Sequence, residues 1–281
     1  MVKHIAVGLD GSETAATAQR LAIALAGRVG GVVHGVHVID ATFLEGAFIT
    51  DISGSMGFEP FLNLQSQMRA TLDDVAEVIH TDFTERCAAA GVEGHFHLER
   101  ASVAHGVLTA SKLADLLVVG QRGVNARFHE EALGSAAETL LRRSAVPVLV
   151  VPPNAGLPSR PLAAYDSSPK AVRALQQAAE LARALSLGLG VVAVDQQEDR
   201  GRARLSEAEH YLAPYGVRAD YAFVHGEAAE QEILALLGPD RHDLVFLGAH
   251  GHRRIVELVL GSTSQYLARR SPVPVWCVTR A

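Results

Sequence analysis

The chain reads as an α/β protein of two tandem, doubly wound, mainly parallel five-stranded sheets with flanking helices. Three observations predict this. Apolar runs of four to eight residues, rich in Val, alternate with stretches of helical spacing. The runs are continuous instead of alternating with polar residues, which suits strands covered on both faces of a parallel sheet. The whole pattern is then written a second time.

The elements of the two copies pair off in order. HIAVGLDGSETAATAQRLAIALA (4–26) matches PLAAYDSSPKAVRALQQAAELARAL (161–185): an apolar run, an Asp, a Ser-containing turn, then a helical stretch, with Asp10 against Asp166, 156 apart. GVVHGVHVID pairs with GLGVVAVD, which sets Asp40 against Asp195 at a spacing of 155. ADLLVVGQRG pairs with HDLVFLGAHG, Gly120 against Gly248, 128 apart, and LLRRSAVPVLVV pairs with LARRSPVPVWCV, Pro147 against Pro274, 127 apart. The drop from 155 to 128 gives the first copy about 27 extra residues between Asp40 and Gly120. Most fall in the segment 41–63, whose Phe43, Leu44, Phe48, Ile49, Met56 and Phe58 are too apolar for a solvated loop. It is expected to cover the first domain's strand ends or to lie in an interface. The Pro- and Gly-rich stretch PPNAGLPSRP (152–161) separates a first domain, 1–153, from a second, 159–281.

Length and composition agree. The 281 residues suffice for two cored domains, and 48% hydrophobic with 20% charged residues is ordinary for a soluble globular chain. A net charge of −6 argues against nucleic acid or an anionic membrane as partner. No apolar segment approaches the ~20 residues of a membrane span, and the first apolar stretch is too short for a signal sequence, so a cytoplasmic protein is expected. Cys87 and Cys277 form no CxxC and read as free thiols of a reducing compartment.

The chemistry concentrates at strand ends, where open α/β sheets bind ligands. GAHGHRRIVELVLGS (248–262) follows the run DLVFLG and precedes a helical stretch, STSQYLARR. Glycines permit positive φ and close approach of a ligand. A helix amino end supplies unpaired N–H groups and partial positive charge to a phosphate, and Ser262 is placed to cap that helix or bond a phosphate oxygen. GQRGVNARFHEEALGS (120–135) repeats the theme. No GxxxxGK[ST] occurs, so this is no Walker loop, and the GxGxxA at Gly188, Gly190 and Ala193 precedes a strand instead of following one.

This pattern resembles the universal stress protein family, whose nucleotide-binding members carry G-x2-G-x9-G-[ST] after the fourth strand. The resemblance spans essentially the whole chain and implies an adenine-nucleotide alpha-hydrolase-like fold. It implies an ATP site in the second domain made by Asp166, Val194, Gly248, His250, Gly251, Gly261, Ser262, Thr263 and Ser264. In the first domain it implies Asp10, Val38, Gly120, Arg122, Gly123, Gly134 and Ser135. The Asp sits by ribose and adenine, the Val brackets adenine through its backbone, and the glycines and serine hold phosphates with Mg2+ or another divalent cation. The second domain fits the spacing without a gap. The first has ten residues between Gly123 and Gly134, carries Glu130 and Glu131, and follows Ser135 with Ala136 and Ala137. Carboxylates beside a triphosphate repel it, so ATP is expected first in the second domain, although Arg122 and Arg127 favour an anion in the other. In the family the final strand, here PVLVV or PVWCV, often pairs domains or subunits, which implies a domain interface and a homodimer.

Other readings compete. His34, His37, His95 and His97 lack Cys or carboxylate neighbours at metal-site spacing, and no metal site is expected. Asp10 and Asp166 each suit helix capping as well as a ribose. Arg142–Arg143 and Arg269–Arg270 fall in the last turn of a helix, where the dipole accounts for them. No nucleophile, general-base pair or two-metal carboxylate set stands out, so any ATP hydrolysis is expected to be slow. A ligase or nucleotidyl transferase would want a catalytic Lys near the phosphates, and the second loop has none. Two function classes remain: a nucleotide-linked regulator of stress survival, and a scaffold for an unknown protein partner with one or both sites degenerate.

Overall fold

The computed structural model describes residues 2–40, 60–124, 133–249 and 261–279, with side chains of the second stretch from residue 67 onward. The first half runs β1 (His4–Leu9), α1 (Glu13–Val29), β2 (Val32–Asp40), α2 (Pro60–Ala90), β3 (Gly94–Ala101), α3 (Val103–Ala110), β4 (Leu116–Gly120), α4 (Ser135–Arg143) and β5 (Val148–Val151). The second runs β6 (Pro161–Ala164), α5 (Pro169–Leu185), β7 (Leu189–Asp195), α6 (Glu198–Leu212), β8 (Ala219–His225), α7 (Ala229–Ala235), β9 (Leu244–Gly248), α8 (Ser262–Arg270) and β10 (Val275–Val278).

The two expected sheets are halves of one. The strand order is β3-β2-β1-β4-β5-β10-β9-β6-β7-β8, and every neighbouring pair is parallel except β5 with β10. Within each half the order reverses at the first strand, between β1 and β4 and between β6 and β9. That reversal is where a crevice opens at the carboxyl edge of such a sheet. At the seam Leu149 pairs with Trp276, its own counterpart in the repeat, flanked by Val150–Val275 and Val148–Cys277. The halves therefore meet as two subunits do across a two-fold axis.

The central strands bury both faces. Ile5, Val7, Leu149 and Trp276 join one core with α1 and α5, while Ala6, Leu117, Val148 and Val150 join a second with α4 and α8. Both cores run through the seam, and their apolar contacts are the main force holding the halves together. α1 begins where Ser12 accepts the Ala15 N–H and ends at Gly30 with φ 62°. α5 begins likewise at Ser168, with Pro169 in its first turn. The serines are thus the caps, and Asp10 and Asp166 stand two residues ahead of them. Arg142–Arg143 and Arg269–Arg270 do end their helices.

The register corrects one pairing. β1–β2 aligns Ile5 with Val33, and β6–β7 aligns Leu162 with Gly190, so Ile39 and not Asp40 is the counterpart of Asp195. Both strands end in Asp, but one residue apart, and in a pleated strand one residue reverses the side-chain direction. Residues 41–59 of the inserted segment lie outside the described residues; 60–63 open α2. Cys87 and Cys277 are free and buried, and burial pushes both thiols up, Cys277 to about 12.

Candidate functional site

Each half gathers the same parts at its carboxyl edge: an Asp just past the first strand, a Gly ending the fourth, and a helix amino end opposite. Gly120 and Gly248 are glycines because a helix lies against them. A Cβ on Gly248 would stand 2.8 Å from Lys170 Cβ and 2.9 Å from the Ala171 nitrogen; one on Gly120 would meet Thr14 Oγ1 and the Ala15 nitrogen at 2.5 and 2.9 Å. Neither has positive φ, nor do Gly123 and Gly134, so close approach and not left-handed backbone explains them.

In the first half Asp10 ties the edge together. Its Oδ1 accepts the Ser12 N–H (2.9 Å), its Oδ2 accepts the Val124 N–H (3.3 Å), and a Cβ on Gly123 would lie 3.0 Å from Oδ2. The Thr14 and Ser12 hydroxyls donate to the Arg122 carbonyl. The Gly134 N–H bonds the Gln121 carbonyl (3.0 Å), and the first helical bond of α4 runs from Glu138 N–H to the Gly134 carbonyl. The first-turn amides of a helix have no intrahelical partner, and Gly134 as N-cap offers no side chain to bond them. The buried Nε of Arg122 has no hydrogen-bond partner among the described residues. His37 Nδ1 donates to the Leu9 carbonyl at 2.7 Å. Val32 N–H bonds Lys3 and Val33 N–H bonds Glu93, so alternation turns the Val38 backbone to the β1 side. Pairing there ends at Leu9–His37, which leaves the Val38 carbonyl past the end of β1, level with Asp10.

The second half repeats the frame with different side chains. Asp166 Oδ1 accepts the Ser168 N–H (2.9 Å). Ser167 holds φ 65°, where the first half has Gly11 at 77°. A left-handed Ser is unfavourable, and its hydroxyl bond to Glu207 (2.7 Å) offsets this. Tyr165 bonds the other oxygen of Glu207 (2.8 Å), and burial first, then that carboxylate, pushes the phenol well above its ordinary range. The Gly226 N–H bonds Asp195, so Val194 turns its backbone to the β6 side, past that strand's end. Asp195 is buried and held by Arg200 (2.6 and 2.7 Å), Arg204 (2.8 Å) and the Gln197 N–H (2.9 Å). The bonds from Arg200 are the main reason its carboxyl stays far below the usual range.

At the α8 end, the Gly261 N–H bonds Ala249 (2.8 Å) and the Gln265 N–H bonds Gly261. Gly261, not Ser262, is the N-cap, and among the described residues no side chain caps this turn. The Ser264 hydroxyl is buried and donates to the Gly248 carbonyl at 3.0 Å, so the residue faces the site through its backbone N–H. Thr263 Oγ1 lies 3.5 Å from Glu230 Oε2 on α7. His250 and Gly251, with Arg127, Glu130 and Glu131 of the first loop, lie outside the described residues.

The fold thus brings Asp10, Gly120, Arg122, Gly123, Gly134 and Ser135 to one edge, with Val38 on the next strand. It brings Asp166, Gly248, Gly261, Ser262 and Thr263 to the other, with Val194 adjacent. Sequence reasoning missed Thr14, Glu207, Glu230, the Asp195–Arg200–Arg204 clasp and Gln121. Only Thr14, inside the Ser-containing turn, carried a local signal; the rest depend on partners remote in sequence or on side-chain direction. Elsewhere, His34 stands between His4 Nδ1 and His97 Nε2, each at 3.2 Å, and burial first, then these rings, lowers its affinity for a proton. Among the described residues no group of three or more His, Cys, Asp or Glu is placed to hold a metal, and no helix is long and apolar enough to cross a membrane. A small apolar cavity lined by Leu21, Leu25, Leu149, Leu181 and Trp276 lies at the seam, away from both edges.

A family model described as the universal stress protein family matches residues 1–152 and 160–279. A universal stress protein from Synechocystis sp. is 28% identical over 284 residues, covering 98% of this chain and 99% of its own. One from Mycolicibacterium smegmatis is 30% identical over 208 residues, 67% of this chain and 69% of its own. The crystal structure of a universal stress protein from Archaeoglobus fulgidus has the same fold, with a TM-score of 0.75 at 24% identity over 99% of this chain and 98% of that one. The chain belongs to the universal stress protein family, as a member carrying two copies of the family domain.

Proposed function

We propose that the chain binds an adenine nucleotide, ATP with Mg2+ as the leading candidate, at its carboxyl edges and serves as a nucleotide-linked regulator of stress survival. The observation that carries this reading is the amino end of α8 and its twin on α4. In both, a glycine N-cap leaves first-turn amides without a side-chain partner among the described residues, next to an Asp and a backbone edge. That is the arrangement a phosphate chain and a nucleoside require. Gly261, Ser262 and Thr263 would take phosphate oxygens, Asp166 the ribose and the Val194 backbone the base. Gly134, Ser135 and Arg122, with Asp10 and Val38, would do the same in the first half.

The described electrostatics favour the first half more than its loop spacing does. Among the described residues Arg122 brings an unpartnered buried nitrogen, and the carboxylate in the first turn of α4, Glu138, is paired with Arg142, whereas Glu230 brings its carboxylate to Thr263 in the first turn of α8. A carboxylate there competes with phosphate for the same positive helix end. This specific contact supports the second reading, a scaffold in which one site is degenerate. The test is to denature purified protein and count released nucleotide per chain. Two indicates both sites, and one indicates divergence of a half. None, together with no binding of added Mg-ATP, sinks the nucleotide reading. Gly261→Glu is expected to abolish binding in the second half of a folded chain, and retained stoichiometry would assign the ligand elsewhere.

A further inference from the structure

Gln121 is the first residue after β4, and its backbone closes the first loop. Its N–H bonds the Val151 carbonyl (2.8 Å) and its carbonyl takes the Gly134 N–H (3.0 Å). Ala249 has the same place in the second half, with bonds to Val278 (2.9 Å) and from Gly261 (2.8 Å). The side chains differ. Ala249 has nothing to donate. Gln121, 4% exposed, reaches across the seam, and its Nε2 donates to the carbonyls of Ala268 (2.9 Å) and Ser271 (3.3 Å).

Those carbonyls lie at the carboxyl end of α8. The last carbonyls of a helix lack intrahelical partners and carry partial negative charge, so a buried amide donor suits them. α8 has nine residues, about 13 Å of rigid rod, and its other end carries Gly261, Ser262 and Thr263. The residue that closes the first loop therefore also holds the far end of the helix that builds the second. With Ala at position 249, no amide makes the return bond to α4.

We propose that Gln121 is a positioning residue for the amino end of α8: from the first half it fixes this helix and so sets the affinity of its amino end for a phosphorylated nucleotide. This rests on the nucleotide reading above. The test follows the NMR amide signals of Ser262, Thr263 and Ser264 in the full chain, alone and titrated with Mg-ATP. Gln121→Ala copies the side chain of the equivalent position, and Gln121→Met keeps the volume while removing the donor. Both are expected to shift these amides without ligand and to weaken Mg-ATP read at them about two- to ten-fold, the scale of one buried hydrogen bond. Thr279→Ala is the control. It removes another bond across the seam, Thr279 Oγ1 to the Val146 carbonyl (3.1 Å), without touching α8, and is expected to leave both readouts unchanged. Wild-type affinity in either Gln121 variant, or an equal effect of Thr279→Ala, overturns the positioning role and leaves the nucleotide reading standing. Failure of these amides to respond to Mg-ATP in the wild-type chain overturns the positioning role and the second-half site, and the nucleotide count per chain then decides whether the first half binds.

Discussion

Asp195 and Gly248 show how single residues define the second edge. Asp195 has a side chain only 4% exposed and survives as an anion because two arginines and a backbone amide surround it. Its folded carboxyl is depressed, so its stabilising contribution is complete above the unfolded value of about 3.9 and is lost as pH falls from there toward the folded value. Asp195→Asn is therefore expected to lower Tm by a few degrees at pH 7, and the gap to wild type should narrow below about pH 4. A gap that is constant with pH would mean the clasp works by shape alone. Gly248→Ala acts differently. Its φ is not positive, so the penalty is contact with Lys170 and Ala171. A loss of about 1–3 kcal/mol is expected in urea denaturation, the scale of overpacking. Gly120→Ala should behave alike, and a neutral result at both would show that α1 and α5 can shift outward freely.

At the scale of elements, Ser12 and Ser168 give the sharpest forecast. Each accepts a first-turn amide at the start of a long helix of the same core. Replacing either with Ala should cost about 1 kcal/mol, and the double variant should give the sum to within about 0.5 kcal/mol, read from urea midpoints. Strong non-additivity would mean the two turns communicate. These caps also mark what could be read from the chain before its fold was known. Strand and helix order was legible because continuous apolar runs and helical spacing differ in period, and because each run appears twice. The Ser-containing turns were legible, but not the division of labour within them. Asp10 and Asp166 make the turn and the serines cap the helix, a distinction of backbone angles that composition does not carry. The glycine loops were legible as helix amino ends, yet Ser262 falls one residue inside its helix, and the Ser264 hydroxyl bonds the Gly248 carbonyl. The Asp40–Asp195 match failed since two strands can share a terminal residue while differing in register. Gln121, Glu207 and Glu230 were illegible because each finds its partner only after distant elements pack.

At the scale of the molecule, the repeat becomes a single sheet. Two parallel halves joined through an antiparallel pair leave no gap in the hydrogen-bond ladder, and both cores continue across it. Glu138 and Gln265, equivalent positions on α4 and α8, bond each other over the seam (3.1 Å) as Leu149 and Trp276 pair beneath it. The halves are therefore expected to unfold as one unit. Trp276 reports this directly, because it is the chain's one tryptophan and lies in the seam, 1% exposed, against Phe246 and with its Nε1 donating to Gln177 (2.7 Å). In urea its fluorescence should change together with the far-ultraviolet circular dichroism of all the helices. Two separated transitions would show that the seam opens before the halves melt. Trp276→Ala takes out the ring and leaves the Gln177 carbonyl unpaired, an expected loss of about 3–5 kcal/mol. Because the loss falls on the joint, circular dichroism of this variant should split into two transitions. If it shifts as one, the ladder and the α1–α5 and α4–α8 contacts suffice to couple the halves, and Trp276 is only a filler of the core.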